Sequence, residues 1–215
     1  MTSSNTQLTD INYVRSDDVA VIRAIIEGWA IWRDTADWAR LLEAWHPGGV
    51  MSSTWFQGTA EEFVRRCKIG WDAGAVAHHV LGNASIDIIE DRAVAQTRLL
   101  LCVRGLVDGV LCDCTCTGRF YDLFEKRDGR WGLVVRQPIY EKDRLDSVDP
   151  AALLKLDAVL LGRFPEGYRH LAYMQVKGGQ TVFEQLPGLR GPAVERVYAM
   201  GKDWLAGLDP NPETY

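Results

Sequence analysis

Several features that identify common classes of protein are missing from this sequence. Its 24 lysine and arginine residues form no run, and the formal net charge is −5. A broad basic face that would attract phosphate groups is therefore not expected, which argues against nucleic acid and anionic membranes as partners. No apolar stretch approaches the roughly 18 to 20 residues of a membrane-spanning helix. Residues 1–13 are polar and lack the apolar core of a signal peptide.

The five cysteines form no C-x-x-C pair and no second metal-spaced cluster. Three of them, Cys112, Cys114 and Cys116, alternate along one predicted strand and therefore share a face of it. A zinc site needs ligands that converge tetrahedrally, whereas side chains along one straight strand diverge. We therefore expect small core residues and no metal. Without a targeting segment, we expect a reduced, soluble, cytoplasmic protein.

The chain also lacks a glycine-rich phosphate loop and the βαβ alternation that is typical of nucleotide-binding folds. It is instead rich in tryptophan, with eight in 215 residues. Large aromatic side chains usually pack in the core, but the cluster near the beginning of the chain would also suit a pocket for an aromatic ligand. Both explanations stay open for Trp29 and Trp55.

The first third of the chain predicts three helices. Apolar residues recur at helical spacing after the capping residues Ser16-Asp17-Asp18, and Asp34 ends this first helix. Pro47-Gly48-Gly49 stops the second, and the capping box Thr59-Ala60-Glu61-Glu62 opens the third. The predicted elements are helices over 16–34, 38–45 and 59–71, with a strand over 50–56.

After Gly74 the apolar period changes to two, which indicates strands. Short turns containing Asp and Gly join these segments, so we expect hairpin-linked antiparallel strands. Helices followed by such a meander predict an α+β domain with helices on one face of a curved sheet. The predicted strands are 79–89, 93–104, 110–125 and 131–137.

The pattern changes again beyond Tyr140. Asp149-Pro150 predicts a helix that extends to Leu161, the stretch 164–176 is aromatic and irregular, and Pro192 begins a last helix that ends near Trp204. We therefore divide the chain into three parts. They are a tail over 1–14, a domain over 15–139, and an extension over 140–215 that packs on the domain or on a neighbouring subunit.

Three motifs occur in an order that suggests a known superfamily. The first motif is Asp34 at the end of the first helix, followed by a polar turn and a second helix. Trp45 follows Asp34 in the second helix, and the separation of these two residues is part of the motif. His79 and Asn83 form an H-x-x-x-N run. The third motif is Gly118-Arg119-Phe120-Tyr121-Asp122 followed by Arg127-Asp128-Gly129-Arg130-Trp131. This order resembles the nuclear transport factor 2-like and SnoaL-like superfamily, which includes scytalone dehydratase and hexachlorocyclohexane dehydrochlorinase. The resemblance implies a cone-shaped α+β barrel with its active site inside.

The resemblance also implies a catalytic dyad, because an Asp and a His form one in the catalytic members. These roles fall on Asp34 and His79. A carboxylate bonded to one ring nitrogen would fix the imidazole tautomer, and the other nitrogen would act as a general base near neutral pH. The plainer alternatives are that Asp34 only ends a helix and that His79 is a structural histidine.

Further residues are candidates for substrate binding. Arg119 and Tyr121 share one strand face and Phe120 and Asp122 the other, and alternation does not tell which face lines the barrel. Arg136 could bind a phenolate or carboxylate, and Tyr140 could relay a proton at the mouth. The complete set of candidates is Trp29, Trp55, Asn83, Arg119, Tyr121, Arg136 and Tyr140.

The expected function is a cofactor-independent lyase that acts on a bulky aromatic small molecule by general acid/base elimination. Length and aromatic content resemble the diarylpropane lyases of lignin-dimer catabolism, which convert a diarylpropane diol to a stilbene and formaldehyde. A dehydratase, dehydrohalogenase or isomerase could use the same dyad. A non-catalytic alternative is a binding module or the small subunit of an aromatic-ring dioxygenase. The resemblance also implies a homodimer or homotrimer.

Overall fold

Residues 16–210 are described by a computed structural model, in which two helices precede two strands, a third helix precedes the four long strands, and three more helices follow. The predicted tail over 1–14 lies outside the described residues. Within 16–210, no helix is long and apolar enough to cross a membrane. The elements are α1 (Ser16–Asp34), α2 (Trp38–Glu43), β1 (Trp45–Ser52), β2 (Gln57–Thr59), α3 (Ala60–Asp72), β3 (Ala77–Ile89), β4 (Arg92–Val107), β5 (Val110–Arg127), β6 (Arg130–Ser147), α4 (Ala158–Leu161), α5 (Arg169–Lys177) and α6 (Pro192–Leu205).

The six strands form one sheet in the order β2-β1-β6-β5-β4-β3. Strands β3 to β6 pair in antiparallel fashion through short turns, as the sequence predicts, and β1 joins β6 in parallel. The pairing of β5 with β6 shifts register at Gly118, where a side chain would collide with the carbonyl of Ile139. Such irregularities bend strands, and the sheet is accordingly curved and open rather than closed.

One face of the sheet, called here the inner face, carries His79, Leu101, Cys116, Phe120, Asp122 and Arg136. Helices α1 and α3 cover part of this face and bury their apolar stripes against it. Ile22, Ile26 and Trp29 of α1 are each at most 1% exposed within this core. The α+β fold class predicted from the sequence is therefore confirmed.

The C-terminal segment packs on both faces of the same sheet. Helix α5 covers the inner face beyond the dyad, where the three alternating cysteines join its core as free, buried residues. Helix α6 lies on the outer face, where Val197 and Trp204 pack against Tyr121 and Leu123. Gly201 makes this possible, since any larger residue there would overlap the Tyr121 ring.

Four local predictions need correction. Strand β1 begins at Trp45 and passes through Pro47-Gly48-Gly49, because Gly48 takes a φ of 79° at a bulge. The strand predicted over 131–137 continues as β6 to Ser147, through residues that are mostly charged after position 140. The helix expected from Asp149 is only the short α4 with Asp157 as its cap. Helix α5 lies where an irregular segment was expected.

Candidate active site

Asp34 is the last residue of α1, and a tight turn follows it. The backbone N–H of Asp37 donates to the carbonyl of Trp32 at 2.9 Å, and Ala36 takes a left-handed φ of 62°. Asp37 then accepts from the N–H of Arg40 and caps α2. A carboxylate at a helix C-terminus faces the negative end of the helix dipole. The position of Asp34 is therefore unfavourable unless other donors compensate.

His79 of β3 supplies two hydrogen-bond donors to the Asp34 carboxylate, its backbone N–H and its ring Nδ1. Oδ2 of Asp34 accepts the backbone N–H of His79 at 2.6 Å, and Oδ1 lies 2.7 Å from its Nδ1. Because an ionised carboxylate only accepts hydrogen bonds, Nδ1 carries the proton and Nε2 is the basic nitrogen. Within residues 16–210, Nε2 makes no hydrogen bond. The side chains are 11% exposed for His79 and 14% for Asp34, so the pair is largely but not wholly enclosed.

The surroundings favour a neutral imidazole. Burial lowers the pKa of His79 below its usual value of 6.5, and the contact with Asp34 opposes this effect. The guanidinium groups of Arg33 and Arg136 lower this pKa further. A buried imidazole with its Nδ1–H held by a carboxylate is suited to accept a proton at Nε2 near neutral pH.

Aromatic rings form the wall beside His79. The Trp29 ring meets the imidazole edge-on at 5.4 Å, and the Phe120 ring stacks on it at 6.3 Å. Phe63 stacks on Trp29 at 6.1 Å and in turn on Trp55 at 5.9 Å. The structure thus brings both candidate tryptophans into one aromatic line that begins at the dyad.

Arg136 also lies at this wall, where its guanidinium group is already paired within the protein. It is fully buried and makes two hydrogen bonds of 2.8 Å to the equally buried Asp122. Its Cζ lies 4.3 Å from the centre of the Trp29 ring and 4.2 Å from that of Phe120. Burial raises the pKa of Asp122, and Arg136 opposes the increase. Of the three nitrogens, Nη1 of Arg136 has no hydrogen-bond partner among the described residues.

Three other substrate-binding candidates, Asn83, Arg119 and Tyr121, lie away from the dyad. Arg119 and Tyr121 lie on the outer face, because they alternate with the inward Phe120. Arg119 is bonded to Glu141 and Tyr198, and Tyr121 is buried under α6. Asn83 is exposed at the irregular part of β3, near Arg119.

Tyr140 is on the inner face but is not at a mouth. It is 4% exposed, lies in the core under α5, and has its ring 5.1 Å from that of Tyr168. Burial raises its pKa, and hydrogen bonding with Thr54 opposes the increase. Tyr140 therefore joins the core beneath α5 rather than the aromatic line at His79.

Two features of this region were not selected from the sequence. The first feature is the pairing of Asp122 with Arg136. The only sequence signal for the position of Asp122 was that it shares a strand face with Phe120. The second feature is another carboxylate–imidazole pair, in which Oδ1 of Asp143 lies 2.8 Å from Nδ1 of His170. Sequence separation hid this pair, since the two residues belong to β6 and α5.

The fold matches solved structures of low sequence identity. A hexachlorocyclohexane dehydrochlorinase of type 2 superposes with a TM-score of 0.55 at 14% identity, covering 65% of this chain and 96% of that one. A putative scytalone dehydratase from Novosphingobium aromaticivorans gives a TM-score of 0.52 at 15% identity, with 65% and 96% covered. Identities this low establish a shared fold and nothing about substrates.

The sequence itself establishes the family. The model of the SnoaL-like domain matches residues 14–137, and the chain belongs to this family within the nuclear transport factor 2-like fold. It is 34% identical over 206 residues to an uncharacterized protein of Emericella nidulans, covering 88% of this chain and 87% of that protein. It is 33% identical over 197 residues to Pea pathogenicity protein 2 of Fusarium vanettenii, with 86% and 84% covered.

Proposed function

We propose that the protein is a cofactor-independent lyase in which His79 removes a proton from an aromatic small molecule and a leaving group departs. The observation that carries the proposal is the double contact of one carboxylate with one histidine. Asp34 holds His79 by its backbone and by Nδ1, which leaves Nε2 unpartnered among the described residues. A fixed tautomer with a free basic nitrogen is what a general base requires.

In the proposed mechanism, Nε2 of His79 takes a proton from a carbon or hydroxyl group of the substrate. The imidazolium that forms is stabilised by the Asp34 carboxylate, which stays ionised. The electron pair of the broken bond to hydrogen forms the new double bond, and the leaving group departs with its own bonding pair. His79 then returns the proton to the leaving group or to water, which restores the neutral base.

The names of two structural relatives fit this class of reaction. A dehydrochlorinase removes hydrogen and chloride, and a dehydratase removes water, so both names describe eliminations. For this chain we propose an aromatic substrate because the rings of Trp29 and Phe120 contact His79 and Phe63 stacks on Trp29 behind it. Flat apolar rings pack well against such surfaces.

Within that class, our specific candidate is deformylation of a diarylpropane diol. The para phenol loses its proton and the benzylic hydroxyl leaves with one proton as water, which gives a quinone methide. His79 then takes the proton of the primary hydroxyl, and the carbon–carbon bond breaks to release formaldehyde. The electron pair of that bond forms the stilbene double bond and returns the quinone methide oxygen to a phenolate, which takes the proton from His79 to restore the phenol and the neutral base. The diol is thereby divided into a stilbene, formaldehyde and water. Trp55 and His79, at the two ends of the aromatic line, are its members that are not fully buried, and the rings of such a substrate would pack against them.

The test is a substrate panel of phenolic diarylpropane diols, aromatic alcohols and aryl alkyl halides. Stilbene absorbance, formaldehyde and halide are measured for the wild-type protein and for His79→Ala. We expect the substitution to lower kcat/KM by about 100-fold or more, the usual contribution of a general base. His170→Ala is the matched control, since it removes another Asp-bound histidine and should keep the activity.

Two outcomes would contradict the proposal. An equal rate in the wild-type protein and His79→Ala would remove His79 from the mechanism. If no compound is turned over while several bind with the same affinity to both proteins, a non-catalytic binding module would be the better description.

A further inference from the structure

Three polar atoms around the Phe120 ring have no hydrogen-bond partner among residues 16–210. They are Nε1 of Trp29, Nη1 of Arg136 and Oγ1 of Thr97, on side chains that are at most 1% exposed. Thr97 is the cross-strand neighbour of Phe120, and the Trp29 and Phe120 rings lie 5.3 Å apart. Buried polar groups are nearly always paired, so several unpaired ones on side chains that pack around one ring mark a place where a polar ligand atom could bind.

The side chains that carry the two nitrogen donors pack against each other beside the dyad. The guanidinium carbon of Arg136 stacks 4.3 Å from the centre of the indole that bears Nε1. The same indole meets His79 edge-on at 5.4 Å. An oxygen atom bound between these donors would therefore lie beside the group that His79 deprotonates.

The charged groups around these donors favour a neutral oxygen atom over an anionic one. Arg136 is neutralised by Asp122 through two hydrogen bonds, and Asp34 offsets the nearby Arg33. With His79 neutral, these four charges sum to zero. A ligand that is already an anion gains little there and loses its hydration. A neutral oxygen acceptor suits the ground state, and negative charge on it would be matched by the imidazolium as it forms.

We infer that Trp29 Nε1 and Arg136 Nη1 form a binding site for one neutral oxygen atom of the substrate, a carbonyl or hydroxyl oxygen on an aryl-bearing carbon chain. Thr97 supplies an additional hydroxyl at its edge. This inference rests on the proposed function only for its link to proton transfer, since the binding preference exists without turnover. It sets the substrate class as aryl ketones and aryl alcohols in preference to aromatic carboxylates or hydrocarbons.

Three fluorinated probes of similar size test the site by fluorine NMR titration at pH 7.5. They are 4-fluoroacetophenone, which has a neutral carbonyl, 1-ethyl-4-fluorobenzene, which lacks it, and 4-fluorobenzoate, which is an anion. We expect the ketone to bind about tenfold more tightly than the hydrocarbon, because hydrogen bonds to a charged donor are among the stronger ones. The benzoate should bind more weakly than the ketone.

Trp29→Phe removes a single donor and keeps an aromatic ring. It should reduce the affinity for the ketone about threefold to tenfold and leave the affinity for the hydrocarbon unchanged. Trp45→Phe is the matched control, since Nε1 of Trp45 is also buried and unpartnered in the same core, but its ring forms no ring pair with Trp29, His79 or Phe120 among the described residues. The control should bind both probes like the wild-type protein, and thermal unfolding shows that both variants are folded.

Several results would overturn the inference. They are equal affinities for ketone and hydrocarbon, tighter binding of the benzoate, equal effects of Trp29→Phe on both probes, or no binding of any probe. The proposed function fails separately. If His79→Ala leaves turnover intact but the ketone preference persists, the oxygen site stands and the assignment of the base does not.

Discussion

Asp143 accepts hydrogen bonds from both the backbone N–H of His170, at 2.6 Å, and its ring Nδ1, at 2.8 Å. Asp34 makes the same two contacts to His79. The two aspartates differ in the helix terminus that each one faces, which is the N-terminus of α5 for Asp143 and the C-terminus of α1 for Asp34. Asp143 also accepts the N–H of Leu171 and so caps the N-terminus of α5, which has no other side-chain cap. Asp143 therefore has a role in stability as a helix cap, whereas the negative charge of Asp34 at the C-terminus of α1 is unfavourable to its own helix.

Substitution of Asp143 should therefore affect mainly stability, and substitution of Asp34 mainly catalysis. Asp143→Asn is expected to lower the free energy of unfolding by about 1 to 3 kcal/mol through loss of the cap and buried hydrogen bonds. Its kcat should stay near that of the wild-type protein. Asp34→Asn should lower kcat by about 100-fold or more because the wrong tautomer of His79 becomes accessible. Urea denaturation and turnover of the best panel substrate measure the two effects. A drop in kcat that is equal in both variants would contradict the distinction.

The pH dependence of catalysis follows from the lowered pKa of His79. Burial is the main cause, and Arg33 and Arg136 add to it, while Asp34 opposes it. The reactive form is the neutral imidazole, so kcat/KM should be constant near pH 7 and fall only below pH 6.5. A rate profile from pH 4.5 to 8.5 measures this limb. A limb above pH 7 would mean that the imidazolium is favoured, contrary to the account.

The buried pair of Arg136 and Asp122 should be costly to break and easy to replace. Asp122→Leu alone leaves a buried charge without its partner and should destabilise the protein by about 3 to 5 kcal/mol. The double variant Asp122→Leu with Arg136→Met removes both charges and should recover most of that loss. Urea unfolding of the single and double variants forms a cycle with the wild-type protein. Additive losses would show that the two groups do not depend on each other.

Much of the fold was predictable because the responsible signals are local. Thr59 caps α3 through the N–H of Glu62, and Asp-Gly turns join the long strands, as their residue types indicate. Helix α5 was not predictable, because its N-terminal cap comes from Asp143, which is distant in sequence. The end of β6 could not be predicted, because Glu141, Lys142 and Arg144 interrupt the apolar alternation that identifies a strand.

The candidate site was only partly predictable. Asp34 and His79 meet as the resemblance implies. The face of β5 depends on which helices cover it, and alternation along one strand contains no such information. Arg119 and Tyr121 were therefore kept as substrate-binding candidates with their face undecided, whereas in the structure α6 covers their side of the sheet. The pairing of Arg136 with Asp122 depends on the register of two strands, which single residues do not reveal.

The turn that positions Asp34 offers a test of stability. Ala36 takes a φ of 62°, a conformation that costs an L-residue about 1 to 2 kcal/mol and glycine very little. Ala36→Gly should therefore raise the free energy of unfolding by about 0.5 to 1 kcal/mol, after the greater flexibility of unfolded glycine is counted. Ala24→Gly, at an exposed position inside α1, is the matched control and should lower it by about 1 kcal/mol. Equal losses in both variants would contradict the left-handed turn.

The central claim is that Asp34 holds His79 as a neutral base with Nε2 free, and its protonation state can be measured without any substrate. Nitrogen-15 NMR of histidine-labelled protein at pH 7, assigned by comparison with His79→Ala, reports which ring nitrogen bears hydrogen. We predict a proton on Nδ1 only, and loss of this preference in Asp34→Asn. A proton on Nε2 alone, or on both nitrogens at pH 7, would contradict the account.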